Sequence, residues 1–226
     1  MKKYIDDKLT IYGSDGLSPN KLLIIQDAVN GGLEAARQNL GIWPEAKVRV
    51  WILAKPKHNI PSQGTADKKF INIGITKKYL NSRNSFKKIG GTVIHEYIHF
   101  VRLLSRLDNR NYAKTVLGAA IEEGVSIYIQ SIIAGYPDYL DVKNLNESMI
   151  RTCWDKFSEV IDKPAKKYYK LLENDEIYRA IYYRLGFGII RKYMKANPDI
   201  DLAKLVKIPE SELIQFAKKI YYKKNG

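Results

Sequence analysis

The chain has 226 residues, one cysteine and a formal charge of +14, from 38 Lys and Arg against 24 Asp and Glu. Hydrophobic residues at 45% and charged residues at 27% exclude a largely disordered chain. The lone Cys153 excludes an intrachain disulfide and any cysteine-rich metal cluster.

The opening stretch MKKYIDDKLT carries two lysines with no apolar core behind them, so no secretory leader is expected there. No stretch approaches 18 uninterrupted apolar residues, so no membrane span is expected, and the cysteine usage suits a reducing, cytoplasmic setting. Ser18 and Pro19 read as an N-cap and the first helical position of a helix that runs to Leu40 and stops at Gly41. Gly31 and Gly32 either weaken its middle or admit another backbone. Lys47 to Ala54 alternates and is rich in β-branched residues, which predicts a strand. A polar loop follows from Lys55 to Lys69, and Phe70 to Thr76 is a second strand of period two. From about Phe86 the chain turns helical: Lys88 to Arg106, then Tyr112 to Ala134 ending at Gly135, then segments near 144–161, 165–173, 176–195 and 209–222. The expected class is α+β, with a small sheet and one long helix in a lobe over 1–108 and an all-helical lobe over 109–226.

The basic excess is mostly lysine spread along the chain in short clusters such as KPAKKYYK (Lys163 to Lys170). It reads first as a solvated surface. A nucleic-acid or other polyanion partner is the alternative it leaves open.

The helix from Lys88 contains HEYIH, with His95 and His99 four residues apart and Glu96 between them. On a helix that spacing turns the two imidazoles about 40° apart, so both face the same way. They can then share one tetrahedral Zn²⁺ at about 2.0–2.1 Å each. Glu96, turned about 100° from His95, stands close enough to take a proton from a metal-activated water. The flanking Val93, Ile94, Ile98, Phe100 and Val101 bury this helix, where unpaired polar groups are costly.

A third protein ligand is required if water is to take the fourth position. A third histidine six residues after His99 fails, because Ser105 stands there, and the spare His58 lies in a Lys/Pro loop. The stronger source is AAIEEGVSIYIQ, where Glu122 and Glu123 sit inside a helix apolar on nearly every side. Periodicity slightly favours Glu122 as the more inward of the two.

HExxH followed about twenty residues later by a glutamate and a small residue resembles the gluzincin zinc peptidases, the group of thermolysin and aminopeptidase N. With HEYIHFVR, IEEGVSIYI and the looser YYRLGFGIIRKYM together, residues 65–220 resemble a bacterial family of predicted zinc-dependent proteases. The resemblance implies a zincin-like fold and one zinc ion on His95, His99 and Glu123, with Glu96 as general base and Glu122 beside the site. It implies a strand edge beside the metal for the substrate backbone, for which Asn72 and Gly74 in GTADKKFINIGI leave the backbone accessible. Tyr183, rather than Tyr182, is the implied oxyanion donor. Ile127 stands where thermolysin carries an acidic residue, so a carboxylate orienting a ligand histidine must come from elsewhere. Arg102, seven residues after His95, shares the ligand face and suits a carboxylate partner or a surface ion pair. The expected function is hydrolysis of peptides or proteins. The competing expectation is a non-catalytic zinc protein whose basic surface binds nucleic acid or a protein.

Overall fold

The computed structural model describes residues 3–5, 8–41, 44–54, 62–82, 84–105, 115–135, 142–168 and 176–222. The fold is mixed α and β, and the chain divides into two compact units. One comprises Met1–Leu107 with Ile133–Gly135, and the other Asp108–Ile132 with Tyr136–Gly226.

The first unit holds a five-stranded sheet: β1 (Lys3–Ile5), β2 (Leu9–Tyr12), β3 (Lys47–Leu53), β4 (Ser62–Ala66) and β5 (Phe70–Thr76), in the order β1-β2-β3-β5-β4. The β2–β3 and β3–β5 pairs are parallel and the two outer pairs antiparallel. Register puts Leu9 opposite Val48 and Val48 opposite Ile71, with Ile11, Val50 and Ile73 forming the next row. All six are fully buried, so one face of the sheet is the core. The other face carries Tyr12 stacked on Trp51 at 4.1 Å and Arg49 over the Phe70 ring.

Two of these strands, β1 and β2, had no counterpart in the sequence expectation, and β4 forms inside the stretch expected to be a loop. Its residues, SQGTA, have little strand propensity of their own. They become a strand by pairing with β5, from Ser62 opposite Ile75 to Ala66 opposite Ile71.

Helix α1 (Pro19–Leu40) connects β2 to its parallel neighbour β3. Ser18 and Gly41 bound it as expected, Gly41 in the left-handed conformation (φ 60°), although the Ser18 side chain makes no capping hydrogen bond. After the short α2 (Lys77–Leu80), whose N-cap Thr76 accepts from the Tyr79 amide, comes α3 (Ser85–Ser105). Helices α1 and α3 cross at glycine. A Cβ added to Gly32 would lie 2.7 Å from the Gly90 carbonyl oxygen and 3.0 Å from Val93 Cβ. The second function suggested for the Gly31-Gly32 pair is therefore the real one, and it belongs to Gly32.

The second unit is helical, with α4 (Val116–Ile133), α5 (Glu147–Phe157), α6 (Glu176–Ala196), α7 (Leu202–Leu205) and α8 (Glu210–Tyr221). The start of α4 is pinned. Thr115 Oγ1 accepts from the Gly118 amide, and the Val116 and Leu117 amides donate to the carbonyls of Lys163 and Ile161 at 3.0 and 2.9 Å. Among the described residues α4 is the one helix long and apolar enough, by length and composition, to cross a membrane. With 78% of it buried inside the protein and two adjacent glutamates within it, it is a core helix. The expected helices near 112 and near 165–173 extend partly into residues outside the described ones.

The glycine crossing gives a paired test. Gly32→Ala should lower stability by about 1–3 kcal/mol through overpacking. The exposed Gly31, whose added Cβ meets only Phe86 Cζ at 3.9 Å, should tolerate alanine and gain up to about 1 kcal/mol of helix propensity. Urea unfolding midpoints of the two variants should move in opposite directions.

Candidate metal centre

Helix α3 packs against β4 and β5. Its apolar side, with Ile89, Val93, Tyr97 and Phe100, is buried, and the run of nonpolar residues noted in the sequence is what seats it. On its other side His95 and His99 are half-buried, their rings edge-on at 69° with centroids 4.9 Å apart. Their Nε2 atoms lie 3.2 Å from each other.

That separation is a test of fit. Two nitrogens each about 2.0–2.1 Å from one tetrahedral ion lie about 3.3 Å apart. The helix alone brings the histidine pair to this spacing, and imidazole nitrogens are ordinary zinc ligands.

Glu96, the next residue after His95, is buried at 5% exposure. It lies against the backbone of β4. A Cβ added to Gly64 would come within 2.5 Å of the Glu96 carboxylate carbon and Oε1. Gly64 opens the stretch GTADKKFINIGI expected at the strand edge, but one glycine in a polar stretch carries no signal of what it will touch. Arg102 is buried at 4% exposure, which removes the surface ion pair as its role. A guanidinium so placed stays charged and must be surrounded by acceptors.

The two strand residues expected to meet substrate are not on an edge. Asn72 pairs with Arg49 of β3 and Thr65 of β4, and Gly74 pairs with Trp51 and Gln63. With ladders on both sides, β5 has no edge to offer a peptide. The strand that ends the sheet here is β4, with no further strand beside it among the described residues.

In the second unit, α4 carries Glu122, buried at 8% exposure, and Glu123, half-buried. The glycine after them has a steric purpose. A Cβ at Gly124 would overlap the backbone of Gly186 on α6, and one at Gly186 would overlap the Ala120 carbonyl. Helix α6 thus crosses α4 in backbone contact beside Glu123, which accounts for the looser YYRLGFG motif. Tyr182 and Tyr183 stand about one turn before Gly186, Tyr182 buried and Tyr183 half-buried, with ring centroids 5.3 Å apart. Ile127 is fully buried core. Ser105 is exposed and donates to the Val101 carbonyl, and His58 lies outside the described residues.

Among the described residues one group of side chains could hold a metal ion, His95, His99 and Glu123, each offering a ligand atom within 4.8 Å of the others. Two neutral imidazoles and one carboxylate leave a bound divalent ion with a net positive charge, as a Lewis acid needs.

Residues 32–215 match the model of a protein family described as "Predicted Zn-dependent protease (DUF2268)". No curated protein and no solved structure matches the chain.

Metal analysis after exhaustive dialysis tests the donor set. His95→Ala, His99→Ala and Glu123→Ala should each lose zinc that the parent retains. Glu122→Ala should keep it, with affinity reduced by no more than about 10–100-fold.

Proposed function

The chain belongs to this family of predicted Zn-dependent proteases, and on that premise we propose a gluzincin-type peptidase in which His95, His99 and Glu123 hold one zinc ion and Glu96 is the general base. The observation that carries the reading is the 3.2 Å between the two Nε2 atoms, the separation one tetrahedral ion would impose, with a buried carboxylate as the very next residue. Bound zinc would supply two things, a lowered pKa for a water molecule and polarisation of the substrate carbonyl.

The chain's own residues do the rest. Glu96 accepts the proton that water loses as its oxygen adds to the carbonyl carbon. It then delivers that proton to the amide nitrogen as the C–N bond breaks, so one carboxylate serves first as base and then as acid. Its burial keeps bulk water from competing for the proton. The peptide backbone adds to the sheet along β4, which borders Glu96 at Gly64, in place of the β5 positions expected from sequence. Tyr183, half-buried on α6, is the proposed hydroxyl donor to the developing oxyanion.

Glu96→Gln keeps the side chain's shape and removes its basicity. Zinc content should equal the parent's while kcat/KM on an unstructured peptide substrate falls by about 10²–10⁴-fold. Turnover at the parent rate would exclude Glu96 as the base.

A further inference from the structure

We propose that Gly64 is a positioning residue for Glu96, the bare stretch of β4 backbone against which the carboxylate is held. The inference rests on the peptidase reading for its catalytic consequence and on packing alone for its geometric one.

Strand β4 pairs with β5 so that Gly64 stands opposite Ile73, a fully buried residue on the core face of the sheet. Ser62 and Ala66, two positions either side, stand opposite Ile75 and Ile71 of the same face. Gly64 and Ala66 therefore stand on the side of β4 turned toward α3, and α3 packs closely on this strand. At Gly64 there is no room for a side chain. A Cβ would meet Glu96 Cγ at 2.3 Å and Cδ and Oε1 at 2.5 Å, whereas real Cβ atoms essentially never come within 3.0 Å of a neighbour.

Which side yields decides the outcome. The backbone of β4 is fixed by its ladder to β5, while the atoms met are Glu96 side-chain atoms from Cγ outward. A methyl at position 64 therefore displaces the carboxylate before it displaces the strand. The atoms must separate by about 1 Å to reach ordinary contact, and misplacement of a catalytic group by that distance costs on the order of 10²-fold in rate. Gly64 contributes no chemistry. It fixes the height of the base above the strand to which substrate would add.

The test is Gly64→Ala, measured by zinc content, by steady-state peptide hydrolysis and by a crystal structure. Zinc per chain should match the parent, kcat should fall on the order of 100-fold with KM within about twofold, and the Glu96 carboxylate should stand about 1 Å further from β4. A Glu96 carboxylate unmoved in that structure, or a parental kcat, would overturn the proposal. If Gly64→Ala fails to fold, the double variant with Glu96→Ala decides. Recovery of a stable protein assigns the clash to Glu96 and upholds the proposal, and continued misfolding assigns it to β4 and overturns it. A parent enzyme inactive on every peptide would end the peptidase reading, and the carboxylate displacement would still decide whether Gly64 positions Glu96.

Discussion

Two imidazole nitrogens 3.2 Å apart on one helix face impose an electrostatic demand. At that separation the two nitrogens either share a proton in one N–H···N contact, its direction set by the tautomers, or hold a metal ion between them. A proton serves it without any third group. A divalent ion serves it and also calls for a carboxylate, for which Glu123 is the proposed donor. The rest of the first unit keeps α3 where this pair can persist. The helix is clamped on one side by α1, through the contact between Gly32 and Gly90, and on the other by the isoleucine face of the sheet.

The same clamp explains Glu96. A carboxylate buried at 5% exposure is expensive to hold ionised, and helices seldom carry one on a sheet-facing side. Here the adjoining strand gives up its side chain at the point of contact. That exchange sets a polar group of the helix against polar backbone rather than against methyl groups. It also places Glu96, the proposed base, beside β4, which ends the sheet on this side among the described residues.

The second unit repeats this use of glycine. Helix α4 is apolar enough to pass for a membrane segment, yet it carries adjacent glutamates. Its neighbour α6 comes into backbone contact at Gly124 and Gly186, so the main chain beside Glu123 is held by packing on both helices. The net charge of +14 has no visible part in any of this: the residues that build the candidate centre are histidines, glutamates and glycines. Cys153 is likewise a packing residue, its thiol buried and its pKa pushed up by that burial.

By itself the sequence determined the α+β class, the bounds of α1 at Ser18 and Gly41, and the likeness of its motifs to zinc peptidases. These depend on local rules: capping, period, and a four-residue spacing that one helical turn converts into a shared direction. It could not determine which strand is the edge. SQGTA acquires its strand only from β5, and FINIGIT, with every mark of a good strand, lies between two partners instead of at the rim. Nor could it show that Arg102 is buried, or that three glycines, at 32, 64 and 124, each face another chain segment at a distance no side chain tolerates. Periodicity records what a residue prefers along its own element. Those contacts join segments tens of residues apart, and only tertiary packing decides what stands opposite a missing side chain.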